Sequence, residues 1–183
     1  MYISGIESIT IQISPDKEGI LGPSNLQLSC VYTLGSGERV FGSNLQAKIN
    51  NVFEYIASFE TDSNGADPIF LSDGNYLSSR ANLSNPTPSL PNTVILTFNQ
   101  IECEDEREYK CNVALRSGGT FISKTSDATS IVVKGKYTWL LMAKIRELNV
   151  GIFYLKPVKL RVKTHAWWLL MHCKNKGVIF EVS

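Results

Sequence analysis

The sequence predicts an all-β fold built as two packed antiparallel sheets, and three stretches carry that prediction. Tyr109, Cys111, Val113 and Leu115 alternate with Lys110, Asn112 and Ala114, so one face of a strand is apolar and bears a cysteine. Far upstream, Leu26, Leu28, Cys30 and Tyr32 alternate in the same way with Gln27, Ser29 and Val31. Ile9, Ile11 and Ile13 alternate with Thr10, Gln12 and Ser14 near the start of the chain. A strand with one apolar face is half-buried, and two sheets packed face to face bury many such faces in one core.

Length and composition set the scale. The 183 residues suffice for one domain of about 100–150 residues and an appendage. Hydrophobic content of 43% and charged content of 19% are ordinary for a globular chain and exclude disorder throughout. The net charge of +1 conceals a division. Residues 1–135 hold nine Lys/Arg against fifteen Asp/Glu, and residues 136–183 hold nine against two. We therefore expect a sandwich domain over residues 1–135 and a basic, Trp-containing tail over 136–183 that is not part of it. Four cysteines (Cys30, Cys103, Cys111, Cys173) allow three fully paired connectivities. No C-x-x-C and no Cys/His cluster is present, so no metal site is expected. Disulfides need an oxidising compartment. Met1-Tyr2-Ile3-Ser4-Gly5, however, has neither a basic start nor an apolar run of signal-peptide length. We read an incomplete N-terminus; the alternative is a cytosolic domain whose core cysteines stay reduced.

Taken in order, the first strand ends at a turn over Pro15-Asp16-Lys17-Glu18-Gly19, and Gly22-Pro23-Ser24-Asn25 leads into the strand of Cys30. Leu34-Gly35-Ser36-Gly37-Glu38-Arg39 is a Gly-rich loop without the G-K-[ST] ending or following helix of a phosphate cradle. Leu45, Ala47 and Ile49 mark the next strand, and Asn50-Asn51 turns it into Phe53–Phe59, rich in aromatic and β-branched residues. Asp62-Ser63-Asn64-Gly65 opens like a calcium loop but lacks the later ligands, so it reads as a surface turn. Ser79–Leu83 is a short strand, and Asn82-Leu83-Ser84 is the only N-glycosylation sequon. Pro86, Pro88 and Pro91 then keep the chain in a loop until a strand over Thr93–Phe98. Glu102–Glu108 places five acids in seven positions, read as a solvated turn that contains Cys103. For Cys103, a free thiol, an intermolecular bond and pairing with Cys173 all stay open. Arg116-Ser117-Gly118-Gly119 is a hairpin turn, and Thr120–Lys134 supplies the last strand or two.

The run Leu96-x-Phe98-x-x-Ile101-x-x-x-Asp105-x-x-x-Tyr109-x-Cys111, with Cys30 in its own upstream strand, resembles the strand E to strand F register of immunoglobulin domains. The resemblance covers residues 7–134. It implies a disulfide from Cys30 on strand B to Cys111 on strand F, and a tyrosine corner at Tyr109. It also implies an ion pair between Arg80, at the start of strand D, and Asp105. Phe53–Phe59 as a C′ strand points to the variable-type sandwich. Two departures stand out. No Trp occurs before Trp139, so Leu45 or Ala47 holds the strand C position where a Trp packs on the disulfide, and strand G lacks F-G-x-G, so antigen-receptor dimer pairing is not indicated. By the same resemblance, binding is expected at the loops Gly35–Gly42 and Arg116–Gly119. Arg39, Phe41 and Arg116 are the residues suited to anchoring it.

The tail offers Trp139–Ala143 and Ala166–Met171 as apolar runs, both far shorter than the ~20 residues of a spanning helix. It reads either as a basic amphipathic membrane-surface segment or as translated sequence that is not normally coding. Both histidines, His165 and His172, lie there, so no Ser/His/Asp set is available to the sandwich, and no nucleophile elbow or phosphate loop occurs. We expect no catalytic residues and no cofactor. The expected function is a non-catalytic, extracellular or cell-surface recognition or adhesion module. Its expected partner is a protein or glycan, with homophilic or sister-domain contacts also open. Two alternatives are a structural spacer in a larger cell-surface protein, and a tail that binds membrane or nucleic acid; nucleic acid is not among the expected partners.

Overall fold

The computed structural model describes residues 9–14, 16–60, 67–90, 92–137 and 179–182. The strands, in order, are β1 (Thr10–Ile13), β2 (Lys17–Ile20), β3 (Gly22–Thr33), β4 (Arg39–Ile49), β5 (Val52–Glu60) and β6 (Ile69–Phe70). After a 3-10 helix (Ser72–Leu77) come β7 (Ala81–Ser84) and β8 (Thr93–Ile101). A 3-10 turn (Cys103–Asp105) precedes β9 (Glu108–Ser117), β10 (Thr120–Thr125), β11 (Thr129–Tyr137) and β12 (Ile179–Val182). One sheet has four antiparallel strands in the order β1-β3-β8-β7. The other runs β12-β11-β9-β4-β5-β6, with β10 also paired to β9 and β2 to β11.

The chain changes sheets within its first twelve described residues. β1 pairs with β3, whereas β2 lies parallel to β11, Lys17 opposite Ile131. The turn expected over Pro15–Gly19 is therefore a strand from Lys17 onward. Backbone and side-chain bonds draw it across: Ser130 N donates to Asp16 Oδ1 at 2.7 Å and Leu21 N to Lys134 O at 2.9 Å. Lys17-Glu18-Gly19 has no apolar alternation, which is why the local sequence reads as a turn.

Two hairpins follow from turn chemistry. Asn50 and Asn51 both have positive φ (50° and 67°), the pairing that a two-residue turn needs to match strand twist. Gly118 and Gly119 (φ 56° and 88°) do the same between β9 and β10. The last strand is interrupted at Ser126. Its backbone N–H donates to Cys111 O (2.8 Å), and its hydroxyl accepts from Cys111 N (3.0 Å) while donating to Asp127 O (2.7 Å). These bonds satisfy the backbone of Cys111 where the regular ladder stops, and the chain then passes from β9 to β2.

Between the sheets lies one core, with Leu28, Leu45, Ile56, Phe59, Leu96, Phe98 and Tyr109 fully buried. Cys30 and Cys111 are bonded across it, their Cα atoms 6.0 Å apart. Leu45 stands directly opposite Cys111 in the β4–β9 register. An aliphatic side chain thus occupies the place beside the bridge. Ile179–Val182, within the segment read from sequence as a tail, lie parallel to Lys134–Tyr137. Trp139, the other tryptophans and both histidines fall outside the described residues.

Candidate functional site

Two clusters gather the residues singled out by sequence. The first is a buried corner. The Arg80 guanidinium meets Asp105 end-on, Nη1 to Oδ2 at 2.5 Å and Nη2 to Oδ1 at 2.9 Å. Its remaining donors reach Tyr76 O (3.2 Å) and Gln100 O (3.3 Å). Asp105 has no exposed surface and also accepts the Glu102 backbone N–H at 2.8 Å. A buried carboxylate is tolerable only with its oxygens so occupied. Tyr109 Oη donates to Asp105 O at 3.1 Å, closing the corner four residues back. The acidic stretch is therefore not uniformly solvated: Asp105 is sealed, and Glu106 accepts Val133 N at 3.1 Å. Cys103 is buried and disulfide-bonded, its partner outside the described residues, so the free-thiol alternative is excluded.

Burial pushes the Tyr109 phenol well above its ordinary range and raises that of Tyr76. At Arg80 burial works against the charge, but the hydrogen bond and charge of Asp105 prevail and its pKa is raised. Tyr76 had no signal in the sequence. The Arg80 and Arg107 guanidinium carbons lie 5.4 and 4.6 Å from its ring centre. This corner ties the 3-10 turn before β9 to the start of β7.

The second cluster lies on the outer face of the larger sheet. Arg39 and Phe41 are strand residues of β4, not loop residues, and Arg116 is on β9 directly opposite Arg39. The loop placement fails because β4 begins at once after the Ser36-Gly37 turn and pairs with β9 as far as Arg39. A register shift between Val40 and Gly42 turns Phe41 outward, where its ring centre lies 5.0 Å from that of Phe121 on β10. Phe121 is 69% exposed and Phe41 39%. The Arg39 guanidinium sits 5.9 Å from the Phe41 ring centre, and that of Arg116 5.8 Å from Phe121. Sequence reasoning missed Phe121, since only the β9–β10 register (Phe121 opposite Arg116) reveals its company. Tyr55 and Ile69 extend the exposed apolar surface along β5 and β6. Lower on the face, the Lys110 ammonium lies 4.3 Å from the Phe53 ring centre, and Lys48 pairs with Glu108 at 2.7 Å. Asn82 is exposed on β7, in the opposite sheet, its amide 3.4 Å from Asn99 Oδ1. Among the described residues no group of three His, Cys, Asp or Glu could hold a metal ion, and no helix is long and apolar enough to cross a membrane.

A solved structure of murine CRIg superposes on 68% of this chain and 97% of its own, with a TM-score of 0.55 at 17% identity. The domain has the variable-type immunoglobulin fold. No family model and no curated protein matches the chain. In immunoglobulin terms β1 and β2 are the divided strand A, β3 is B, β4 is C, and β5 and β6 are C′ and C″. β7, β8 and β9 are D, E and F, and β10 with β11 forms G. Tyr109, two residues before Cys111, is the tyrosine corner of that fold, and Leu45 holds the place of its strand C Trp.

Proposed function

We propose that this domain is a non-catalytic recognition module of the cell surface, and that it takes a protein partner through the outer face of its larger sheet. The observation that carries the proposal is the Phe41–Phe121 pair, exposed and flanked by Arg39 and Arg116. Aromatic and Arg side chains dominate binding hot spots, because they bury much area with few rotors and offer both apolar and polar contact. Four strands (β5, β4, β9, β10) hold this surface. The core disulfide lies beneath it through Cys111, so the site is preorganised. The fold supports a binding role by analogy. The extracellular setting is supported by the disulfide.

Fluorescent tetramers of the full chain, applied to a panel of intact cell types, test the proposal. Saturable binding to some types, lost with Arg39→Ala plus Phe41→Ala in a variant that melts like the parent, is the expected result. Binding that survives both changes would remove this site. Hydrolytic turnover by the chain would remove the class of function.

A further inference from the structure

Arg39 and Arg116 are exposed and face one another across the β4–β9 pair. Like charges directly opposite on neighbouring strands repel. No carboxylate among the described residues pairs with Arg39 or Arg116 to relieve that repulsion, whereas Lys48, Arg80 and Lys134 each have one. Arg39 has only the Phe41 ring, and Arg116 only Phe121 and one bond, from Nε to Gly119 O at 3.3 Å. The contrast with the surroundings is sharp, since residues 1–135 carry a net charge of −6. Elsewhere among the described residues, Glu18, Glu102, Asp105 and Glu108 pair with bases, and Asp16, Glu38 and Glu106 accept backbone N–H groups. Here two forked cations are left with donors unspent, beside two exposed rings.

We propose that the partner met at this face is an acidic protein segment, one that presents Asp or Glu side chains beside an apolar side chain. This rests on the reading of the face as the recognition surface and adds the chemistry of what it takes. Each guanidinium has a planar edge for bidentate capture of a carboxylate. One acid between them removes the mutual repulsion as well as adding its own attraction, while the tilted Phe41–Phe121 rings take the neighbouring apolar group. A sulfated glycan would satisfy the charges but leave the rings with less to cover, so the protein segment is favoured.

The test is a phage-displayed random peptide library panned on the full chain, with Arg39→Gln plus Arg116→Gln as counter-selection. The expected clones are enriched in Asp and Glu next to Leu, Phe or Tyr. Their affinity falls about tenfold or more in the Gln variant, in line with the loss of close charge pairs. Phe121→Ala weakens the same clones, and a heparin fragment does not displace them. The inference is overturned by clones without acidic enrichment, by acidic clones that bind the Gln variant equally, by failure of any clone to enrich, or by a heparin fragment binding in their place. If it is overturned while cell binding is still lost with Arg39→Ala plus Phe41→Ala, the recognition face stands and only its chemistry is wrong.

Discussion

Asp105 is fully buried as a charge, and its surroundings show what that requires: two Arg80 nitrogens, one backbone N–H and a carbonyl held by Tyr109. Removing one partner leaves the other charge buried and alone. Arg80→Ala should therefore cost about 3–5 kcal/mol, read by chemical denaturation. Arg80→Met with Asp105→Leu should recover only part of this, because Glu102 N also loses its acceptor; full recovery would show that the corner contributes nothing beyond its charges. Ser43 makes the opposite case. Its hydroxyl is buried on the core side of β4 with no hydrogen-bond partner. Ser43→Ala should raise stability by about 1 kcal/mol, and a fall in melting temperature would refute this. Burial raises the phenols of Tyr109, Tyr76 and Tyr32 above their unfolded value. The native state then holds more protons than the unfolded state once pH passes about 10, so stability is full below that pH and declines as pH rises towards the folded values. A denaturation series from pH 8 to 12 should show this decline, lessened by Tyr109→Phe. At this scale the sequence spoke through a register: Tyr109, Asp105 and Arg80 were nameable from their spacing and resemblance. Tyr76 was not, because Arg80 is its near neighbour in the chain but Arg107 reaches its ring only through the fold.

Elements with their own turn chemistry were legible; those created by a distant partner were not. Asn50-Asn51 and Gly118-Gly119 announce hairpins because few residues accept their positive φ. β2 exists through β11, and β6 through β5, so neither has a signature of its own. The same dependence on a distant neighbour governs the 3-10 helix. Gly74 is buried against β5, where an added Cβ would lie 1.9 Å from Ile56 O. Leu71 N donates to that same carbonyl at 3.0 Å, so the backbone there has little room to yield. Gly74→Ala should cost about 1–3 kcal/mol or more by overpacking, and a neutral result would mean that the helix docks loosely. At β7, we expect Asn82 to carry an N-linked glycan in protein secreted from eukaryotic cells, because the sequon's Asn82 and Ser84 are both exposed. A mass loss with peptide N-glycosidase, absent in Ser84→Ala, checks it. The glycan would stand on the sheet opposite the Phe41–Phe121 face.

At the scale of the whole molecule, the sandwich was readable because alternation around Cys30, Cys111 and Ile11 fixes which faces point inward. The recognition surface was only half-readable. Arg39, Phe41 and Arg116 were identifiable as residue types suited to binding, yet their assembly with Phe121 depends on the bulge in β4 and on the pairing of β9 with both β4 and β10. Outward faces carry no core pattern to reveal them. The bridge that unites the two sheets closes a separation of 81 residues. Its loss through Cys30→Ala plus Cys111→Ala should cost about 4 kcal/mol, a large part of the 5–15 kcal/mol typical of a domain. Urea denaturation with and without reductant measures this. The most direct test of the account as a whole is an alanine scan of every exposed position of the full chain displayed on yeast, scored separately for folding and for cell-surface binding. Binding should fall with folding intact at Arg39, Phe41, Arg116 and Phe121, and be unaffected on the outer face of β3, β8 and β7. Loss of binding on that opposite sheet, or only where folding is also lost, would contradict the account.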